Sequence, residues 1–316
     1  SMHMKRSILY ICCLSLCCFM SCSDDESTNY VPESKELSTD EIDVYFQENF
    51  QEKYGSTVRW QWIDKYVDIN YIVAPAMRKV LIPTGEMIRR FWIEPFILES
   101  KASGEFIRKH FPPEIVCVGS ELRNADGTRT LGYADAGVRI TLTELNYFDL
   151  TNREWVIQQL HTMHHEFSHI IHQTYKMPNG FNKITEDTYT GQAWKDINTN
   201  AQAELIEKGI SSPTTHEIDS VAQNMAIQRG MLTPYGTSSE FEDFAELVSL
   251  YLLTEPAVFE ETYIASDPKR TFLDEGKANI NKKLALVKEY YVSNFSIDLT
   301  HLREIILQRL NEISMK

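Results

Sequence analysis

A histidine-rich run between residues 161 and 172 decides how the rest of the chain is interpreted. It reads His161-Thr162-Met163-His164-His165-Glu166-Phe167-Ser168-His169-Ile170-Ile171-His172. Five of the nine histidines of the chain fall in this run, and apolar residues recur between them at helical spacing. The pattern predicts a buried helix with a stripe of imidazoles along one face.

Residues 165–169 of this run match the pattern HExxH. On a helix, His165 and His169 lie at positions i and i+4, so their imidazoles project from one face roughly 6 Å apart and can hold one zinc ion. Glu166 is turned by roughly 100° about the helix axis, which lets its carboxylate act as a general base without becoming a ligand. The alternative is a set of histidines that are solvated or hydrogen-bonded in the core, because the pattern alone does not establish a metal site.

A third ligand has to come from elsewhere in the chain. The longer pattern HExxHxxGxxH, typical of metzincins, needs glycine at 172 and histidine at 175, whereas this chain has His172 and Tyr175. His172 lies roughly 10.5 Å along the helix from His165, a poor geometry for sharing one ion. We expect His172 to support or face the site from outside the ligand set, or to be a hydrogen-bonded core residue.

A second helix, predicted over residues 240–253, supplies carboxylates. Its sequence is mostly apolar, with Glu242 and Glu246 at i and i+4. Buried carboxylates are costly unless they bind a cation or accept hydrogen bonds. We predict Glu242 as the third ligand and Glu246 as a carboxylate that orients a ligand histidine. Glu240 and Glu246 stay open as alternatives for the ligand position.

The amino-terminal residues predict export and a lipid anchor. A short basic region at residues 4–6 precedes an apolar run over residues 8–20, which is typical of a secretory signal and too short for a spanning helix. Residues 19–22, Phe-Met-Ser-Cys, resemble the bacterial lipobox, which implies that Cys22 is lipidated and holds the chain at a membrane. The alternative is an ordinary signal whose cysteines are coincidental.

The leader divides the chain into three predicted parts. Residues 1–21 are the signal, with residues 1–3 preceding the natural start at Met4, and residues 22–37 are a lipidated cysteine and a flexible polar stalk. The segment Ser23-Asp24-Asp25-Glu26 resembles an acidic tag that directs lipoproteins to the cell surface in some Gram-negative bacteria. Residues 38–316 are the folded part, as one domain or as two subdomains around the site.

Composition narrows the class of protein further. The formal net charge of −14 over 316 residues excludes a basic surface for nucleic acid. Of the six cysteines, only Cys117 remains after the signal and Cys22. No internal disulfide and no thiolate zinc site is therefore expected, and Cys117 is predicted to be a core residue. Nothing in the sequence indicates an oligomeric state.

Local patterns predict an α+β chain dominated by helix. The predicted elements are a helix capped by Ser38 and Glu41, a helix at about 84–93 stopped by Pro95, a helix near 104–111, strands at 114–119 and 138–143 around a turn at 124–127, a helix from Thr151 to about Tyr175, a loop at 180–200, the helix 240–253, and two helices within 276–313 separated at Ser293-Asn294.

Two longer resemblances rest on these motifs. HEFSH, then Tyr235-Gly236 seven residues before Glu242, resembles the catalytic region of anthrax lethal factor and related gluzincins over residues 161–175 and 233–250. HHEFSHIIHQ together with EDFAE and a lipoprotein signal resembles the bacterial zinc-binding metallopeptidase lipoproteins over the mature chain.

The resemblance implies a zincin-like fold with a small mixed or antiparallel sheet beside the HExxH helix. It implies Zn²⁺ on His165, His169 and Glu242, with Glu166 as the base and Tyr235 stabilising the oxyanion. Tyr235 has an alternative interpretation as a packed turn residue. The span between HExxH and Glu242 is longer than in lethal factor, which leaves room for an inserted segment that faces the substrate. By analogy with zincins, the strand at 138–143 is expected to be the edge that pairs with extended substrate.

The resulting hypothesis is a zinc peptidase that hydrolyses protein or peptide at the surface of a Gram-negative bacterium, attached to the outer membrane through Cys22. The alternative is a surface lipoprotein that binds peptide or glycan on the same scaffold without cutting it. Glu166 disfavours that alternative, because a pure binder needs no general base. A purely structural zinc site is disfavoured because such sites usually have four ligands and are rich in cysteine.

Overall fold

The computed structural model describes residues 38–61, 73–99, 104–123, 129–130, 134–135 and 139–314. Residues Thr39–Lys316 form one compact unit. The predicted signal, Cys22, the stalk and the predicted turn at 124–127 lie outside the described residues. Within the described residues, no helix combines the length and apolar character needed to cross a bilayer.

Helices account for most of the described chain, and the strands are short, so the predicted helix-dominated α+β class is confirmed. The α-helices are α1 Glu41–Phe46, α2 Glu52–Tyr54, α3 Arg78–Ile88, α4 Glu94–Glu99, α5 Glu105–His110, α6 Arg153–Tyr175, α7 Ile197–Glu207, α8 Thr215–Gln228, α9 Glu240–Leu253, α10 Pro256–Phe259, α11 Asp274–Phe295 and α12 Leu299–Ser314. The strands are β1 Thr57–Arg59, β2 Glu114–Cys117, β3 Leu122–Arg123, β4 Arg129–Thr130, β5 Ala134–Asp135 and β6 Arg139–Leu142.

The main sheet has the order β1-β2-β6-β5 and is mixed. Strands β1, β2 and β6 run parallel, with Ile115 opposite Val58 and Ile140, and β5 pairs antiparallel with β6. Strands β3 and β4 form a separate antiparallel pair. The prediction that the strand at 138–143 is a free edge for substrate is wrong, because β6 has a partner on each side. A single strand's sequence cannot show which neighbours occupy its two edges.

Helix α6 carries the histidine-rich run through the centre of the fold, against α9 and β6. Its cap lies one residue after Thr151, the predicted start: Asn152 Oδ1 accepts from Trp155 N at 3.1 Å, while the Thr151 hydroxyl donates to Asp149 at 2.6 Å. It ends at Tyr175, as predicted. The apolar side chains that bury it are Trp155, Val156, Leu160, Met163, Phe167, Ile170 and Ile171.

Pro95 does not end a helix as predicted. Helix α3, a π-helical segment at Arg89–Ile93 and α4 follow one another without a break. Proline has no amide hydrogen and leaves an earlier carbonyl without its helical partner. In π-helical pairing that carbonyl lies five residues back, on Arg90, and it accepts from Arg309 Nη1 of α12 at 3.1 Å. A donor from a distant helix thus satisfies the carbonyl, which local sequence could not indicate.

Other boundaries differ by a few residues. Asp40, not Ser38, caps α1 by accepting from Ile42 N at 2.9 Å. The break between the last two helices lies at residues 296–298, where Ser296 has a φ of 55°, instead of 293–294. The predicted loop at 180–200 contains two 3-10 turns and the start of α7, and Cys117 is buried in β2 as predicted.

Candidate metal centre

Helices α6 and α9 pack along each other and bring three ligand atoms to one point. His165 Nε2 lies 2.8 Å from Glu242 Oε2, His169 Nε2 lies 3.1 Å from the same oxygen, and the two nitrogens are 3.2 Å apart. In a tetrahedral site with ligand distances of about 2.1 Å, ligand atoms are separated by roughly 3.4 Å. The three atoms are thus spaced nearly as the ligands of one zinc ion are.

Hydrogen bonds on the far sides of both rings leave the facing nitrogens with lone pairs. His165 Nδ1 lies 3.1 Å from the Glu246 carboxylate, which can only accept when ionised, so this nitrogen carries the proton. His169 Nδ1 lies 2.9 Å from His172 Nε2 and can donate to it. When each ring carries a single proton on its far-side nitrogen, two bare nitrogens and a carboxylate oxygen face one another. Such an arrangement needs a cation between them, so the donor set fits a metal ion.

The pKa values of the site residues also indicate that positive charge is favoured between them. Although burial alone disfavours a charged ring, hydrogen bonds to Glu242 and Glu246 raise the pKa of His165 to about 10. Burial alone would raise the pKa of Glu242, but hydrogen bonds to His165 and His169 lower it to about 2. Without a metal, a proton on His165 neutralises the carboxylates, and a divalent cation can replace it.

Glu242 is positioned by the start of α9. The Ser239 hydroxyl accepts from the Glu242 amide at 3.3 Å and caps the helix, which directs the Glu242 side chain toward α6. Among the alternatives for the third ligand, the structure brings Glu242 to the Nε2 side of the histidines. The role of Glu242 as a ligand stays a prediction.

Glu246 lies on the other side of His165, four residues along α9. Its Oε2 contacts His165 Nδ1 and, at 2.5 Å, His161 Nε2, while its Oε1 accepts from the Thr233 hydroxyl at 3.0 Å. His161, His165 and Glu246 could also group around a cation, but these hydrogen bonds already satisfy both oxygens. A carboxylate behind a ligand histidine fixes its tautomer and orientation.

The remaining histidines of the run have separate environments. His172 is buried, bonds to His169 and stacks on Phe241 at 5.0 Å between ring centroids. The structure places it outside the three grouped ligand atoms, and its supporting role stays a prediction. His164 points into the core against Trp92 and Phe96, and burial lowers its pKa to about 3, so it is a neutral core residue.

Glu166 and Tyr235 lie around the same point. Glu166 is 7% exposed, and its charge acts on both His165 and Tyr235. The Tyr235 ring stacks on His165 at 5.8 Å between centroids. Burial, reinforced by interactions with Glu242, raises the pKa of Tyr235 above its usual value, so its hydroxyl stays protonated and can donate.

The structure adds residues that the sequence analysis did not identify. His161 and Thr233 hold Glu246, and Trp194 packs edge-on against Tyr235 at 5.0 Å between centroids. His161 precedes His165 by one helical turn, so its place on the stripe was a usable signal. Trp194 and Thr233 belong to the segment between the two motifs and carry no local pattern that links them to the site.

Comparison with known proteins agrees with this donor set. Residues 35–300 match the family described as "Putative zinc-binding metallo-peptidase". The crystal structure of a putative zinc-binding metallo-peptidase from Bacteroides caccae ATCC 43185 is similar, with a TM-score of 0.65 and 27% identity, over 90% of this chain and 97% of that one. No curated protein matches the chain.

Two histidines one helical turn apart and a carboxylate, beside a buried glutamate, are typical of the sites of zinc hydrolases. Because the family match covers most of the sequence, the chain belongs to the zinc-binding metallo-peptidase family. Its cofactor is Zn²⁺, which the donor atoms described above fit.

Proposed function

We propose that this protein is a zinc-dependent peptidase of the HExxH-plus-glutamate, or gluzincin, type, with zinc on His165, His169 and Glu242. The observation that carries the proposal is the convergence of these three ligand atoms within 3.2 Å of one another, close to buried Glu166. A cavity of about 640 Å³ adjoins them and is large enough for part of a peptide.

His165, His169 and Glu242 would hold the zinc ion, which would supply Lewis-acid chemistry: polarising a peptide carbonyl and lowering the pKa of water toward about 7. Glu166 accepts a proton from the attacking water and later delivers it to the leaving amine nitrogen. Tyr235, kept protonated by its surroundings, donates a hydrogen bond to the oxyanion that develops on the carbonyl oxygen. Glu246 and His172 hold the ligand rings in the required tautomers.

We propose that this protein acts at the outer face of a Gram-negative outer membrane, on extracellular protein or peptide. Its support is the lipobox-like sequence ending at Cys22 and the acidic residues 24–26 that follow it. Replacing Cys22 with serine should move the protein from the membrane fraction to the soluble fraction. Retention of Cys22→Ser in the membrane fraction would contradict the anchor.

The decisive experiment measures zinc content and peptide hydrolysis in the same preparations. Wild type should hold about one zinc ion per chain and cut a mixed peptide library, while His169→Ala and Glu242→Ala should lose the metal. Glu166→Gln should keep the zinc and lose roughly 10²–10⁴-fold in rate.

Three results would contradict the proposal. Wild-type protein that holds no zinc after reconstitution would contradict the metal site. A fully active Glu166→Gln variant would contradict the role of Glu166 as the base. Zinc without any hydrolysis would favour the surface protein that binds peptide or glycan and does not cut it.

A further inference from the structure

A cavity opens on one side of the metal centre, between the carboxyl end of α6 and the start of α9. Its volume is about 640 Å³. The residues that line it are His169, His172, Gln173, Lys176, Met177, Ser239, Phe241 and Glu242. Since two of these are predicted zinc ligands, a group that enters the cavity lies beside the metal centre.

Phe241 gives the cavity an aromatic wall. It immediately precedes Glu242, and 43% of its surface is exposed although the buried part of α9 begins two residues further on, at Asp243. Its ring stacks on His172 at 5.0 Å and 23°, and His172 is itself fixed by its bond to His169. Half-buried Met177 adds a polarisable thioether. A rigid, half-exposed ring beside a thioether favours burial of another aromatic ring.

Lys176 gives the same cavity its charge. Lys176 is the lysine among the residues that line the cavity. The carboxylate that lines it, Glu242, is directed at His165 of the metal centre. The backbone of Lys176 has φ 66° and ψ 174°, a region that residues other than glycine rarely occupy. The Tyr290 hydroxyl holds this geometry by donating to the Lys176 carbonyl at 2.8 Å. Together with zinc, the ammonium group repels a basic side chain.

We propose that this cavity is the subsite for an aromatic side chain of the substrate, next to the bond that is cut. The side chain packs against Phe241, and Lys176 excludes lysine and arginine from the same place. The inference deepens the proposed peptidase function and rests on it for the identity of the ligand as a peptide.

The experiment compares peptides that differ only at one residue beside the cleavage site. Wild-type protein with zinc is first given a random peptide library, and the cut sites are identified by mass spectrometry. Peptides with Phe, Ala or Lys at each flanking position are then tested for kcat/KM in wild type and for binding to Glu166→Gln, which does not consume them. Phe should exceed Ala about tenfold at one position, and Lys should be weakest there.

Two substitutions should change this preference in different ways. Phe241→Ala should remove the advantage of the Phe peptide over the Ala peptide. Lys176→Glu should raise kcat/KM for the Lys peptide by about threefold to tenfold. Phe272→Ala and Lys269→Glu are matched controls, because both residues are exposed and neither lines the cavity, and they should leave the preference unchanged. Zinc content and thermal unfolding of each variant show that it is folded.

The outcomes separate the subsite from the peptidase activity. Hydrolysis with a Phe preference that survives Phe241→Ala, or with no Phe preference, overturns the subsite alone. Binding of the Phe peptide that depends on Phe241, without hydrolysis by wild type, supports the subsite and overturns the peptidase. If wild type neither binds nor hydrolyses the peptides, both the subsite and the peptidase activity are overturned.

Discussion

At the scale of single residues, the carboxylate behind His165 is the contact with the clearest chemical consequence. Glu246 is 4% exposed and accepts hydrogen bonds from two imidazoles and a hydroxyl. An ionised acceptor at this place keeps the proton on His165 Nδ1 and leaves Nε2 free for a metal.

Glu246→Gln should therefore weaken zinc binding by roughly 10–100-fold, because the amide has the same shape but can no longer orient His165 by charge. Competition with a chromophoric chelator measures the affinity. Glu240→Gln, in the first turn of the same helix but outside the cluster, is the control. Equal zinc affinity in wild type and Glu246→Gln would show that Glu246 only fills space.

His110 makes stability depend on pH. It packs on Phe106 and contacts the Tyr175 hydroxyl at 2.9 Å, and burial, reinforced by the charge of Lys109, lowers its pKa to about 4. The unfolded chain, with a histidine pKa of about 6.5, binds more protons than the folded protein between about pH 4 and 6.5. Stability attributable to neutral His110 is present above this window and is lost as pH falls through it.

His110→Gln should consequently lose less stability than wild type between pH 6.5 and pH 4. Urea unfolding at matched zinc levels across that window measures the difference. Exposed His216→Gln should keep the wild-type slope. If His110→Gln keeps that slope as well, the proton uptake occurs elsewhere.

At the scale of elements, the long segment between the two site motifs is held by the close packing of α8 on α11. A Cβ on Gly276 would lie 1.8 Å from the Ile227 carbonyl oxygen, a backbone atom that cannot turn aside. Glycine at 276 therefore sets how near the two helices approach.

Gly276→Ala should lower the free energy of unfolding by about 1–3 kcal/mol, since the helices must separate to admit a methyl group. Exposed Ala278→Ser on the same helix should change it by less than about 0.5 kcal/mol. Chemical denaturation gives both values, and a Gly276→Ala protein as stable as wild type would mean that α8 moves freely over α11.

At the scale of the whole molecule, a buried ion pair joins parts of the fold that are far apart in sequence. Lys283 of α11 donates to Asp243 at 2.7 Å and to the Gly230 carbonyl at 2.9 Å, and the Tyr189 hydroxyl donates to Asp243 at 2.7 Å. Both charged side chains are 1% exposed. The pair links α9, one residue after Glu242, to α11 and to the segment that precedes α7.

Lys283→Met should cost about 3–5 kcal/mol, because it leaves the Asp243 carboxylate buried without its cation. The double variant Lys283→Met with Asp243→Leu should be less destabilised than the sum of the single variants, since it removes both charges. A double-mutant cycle from urea unfolding measures the coupling. Additive effects would show that the two charges do not stabilise each other.

Much of this molecule is determined by local sequence. The apolar pattern of 240–253 predicted α9 with its observed bounds, and the helix predicted from Thr151 to about Tyr175 matches α6 to within two residues, because these signals depend only on local helical geometry. Cys117 was predicted as a core residue from its apolar strand pattern, and it is buried. Helices α7 and α8 were not predicted, because small and polar residues weaken their periodicity.

Only the tertiary structure decided which groups meet. The sequence left Glu240, Glu242 and Glu246 open for the third position, and the packing of α9 on α6 brings Glu242 to one side of His165 and Glu246 to the other. Tertiary packing also places β6 inside the sheet and Arg309 beside the helical run that contains Pro95. Spacing along one helix follows from the backbone, whereas contacts between elements depend on how distant surfaces pack, which no local pattern contains.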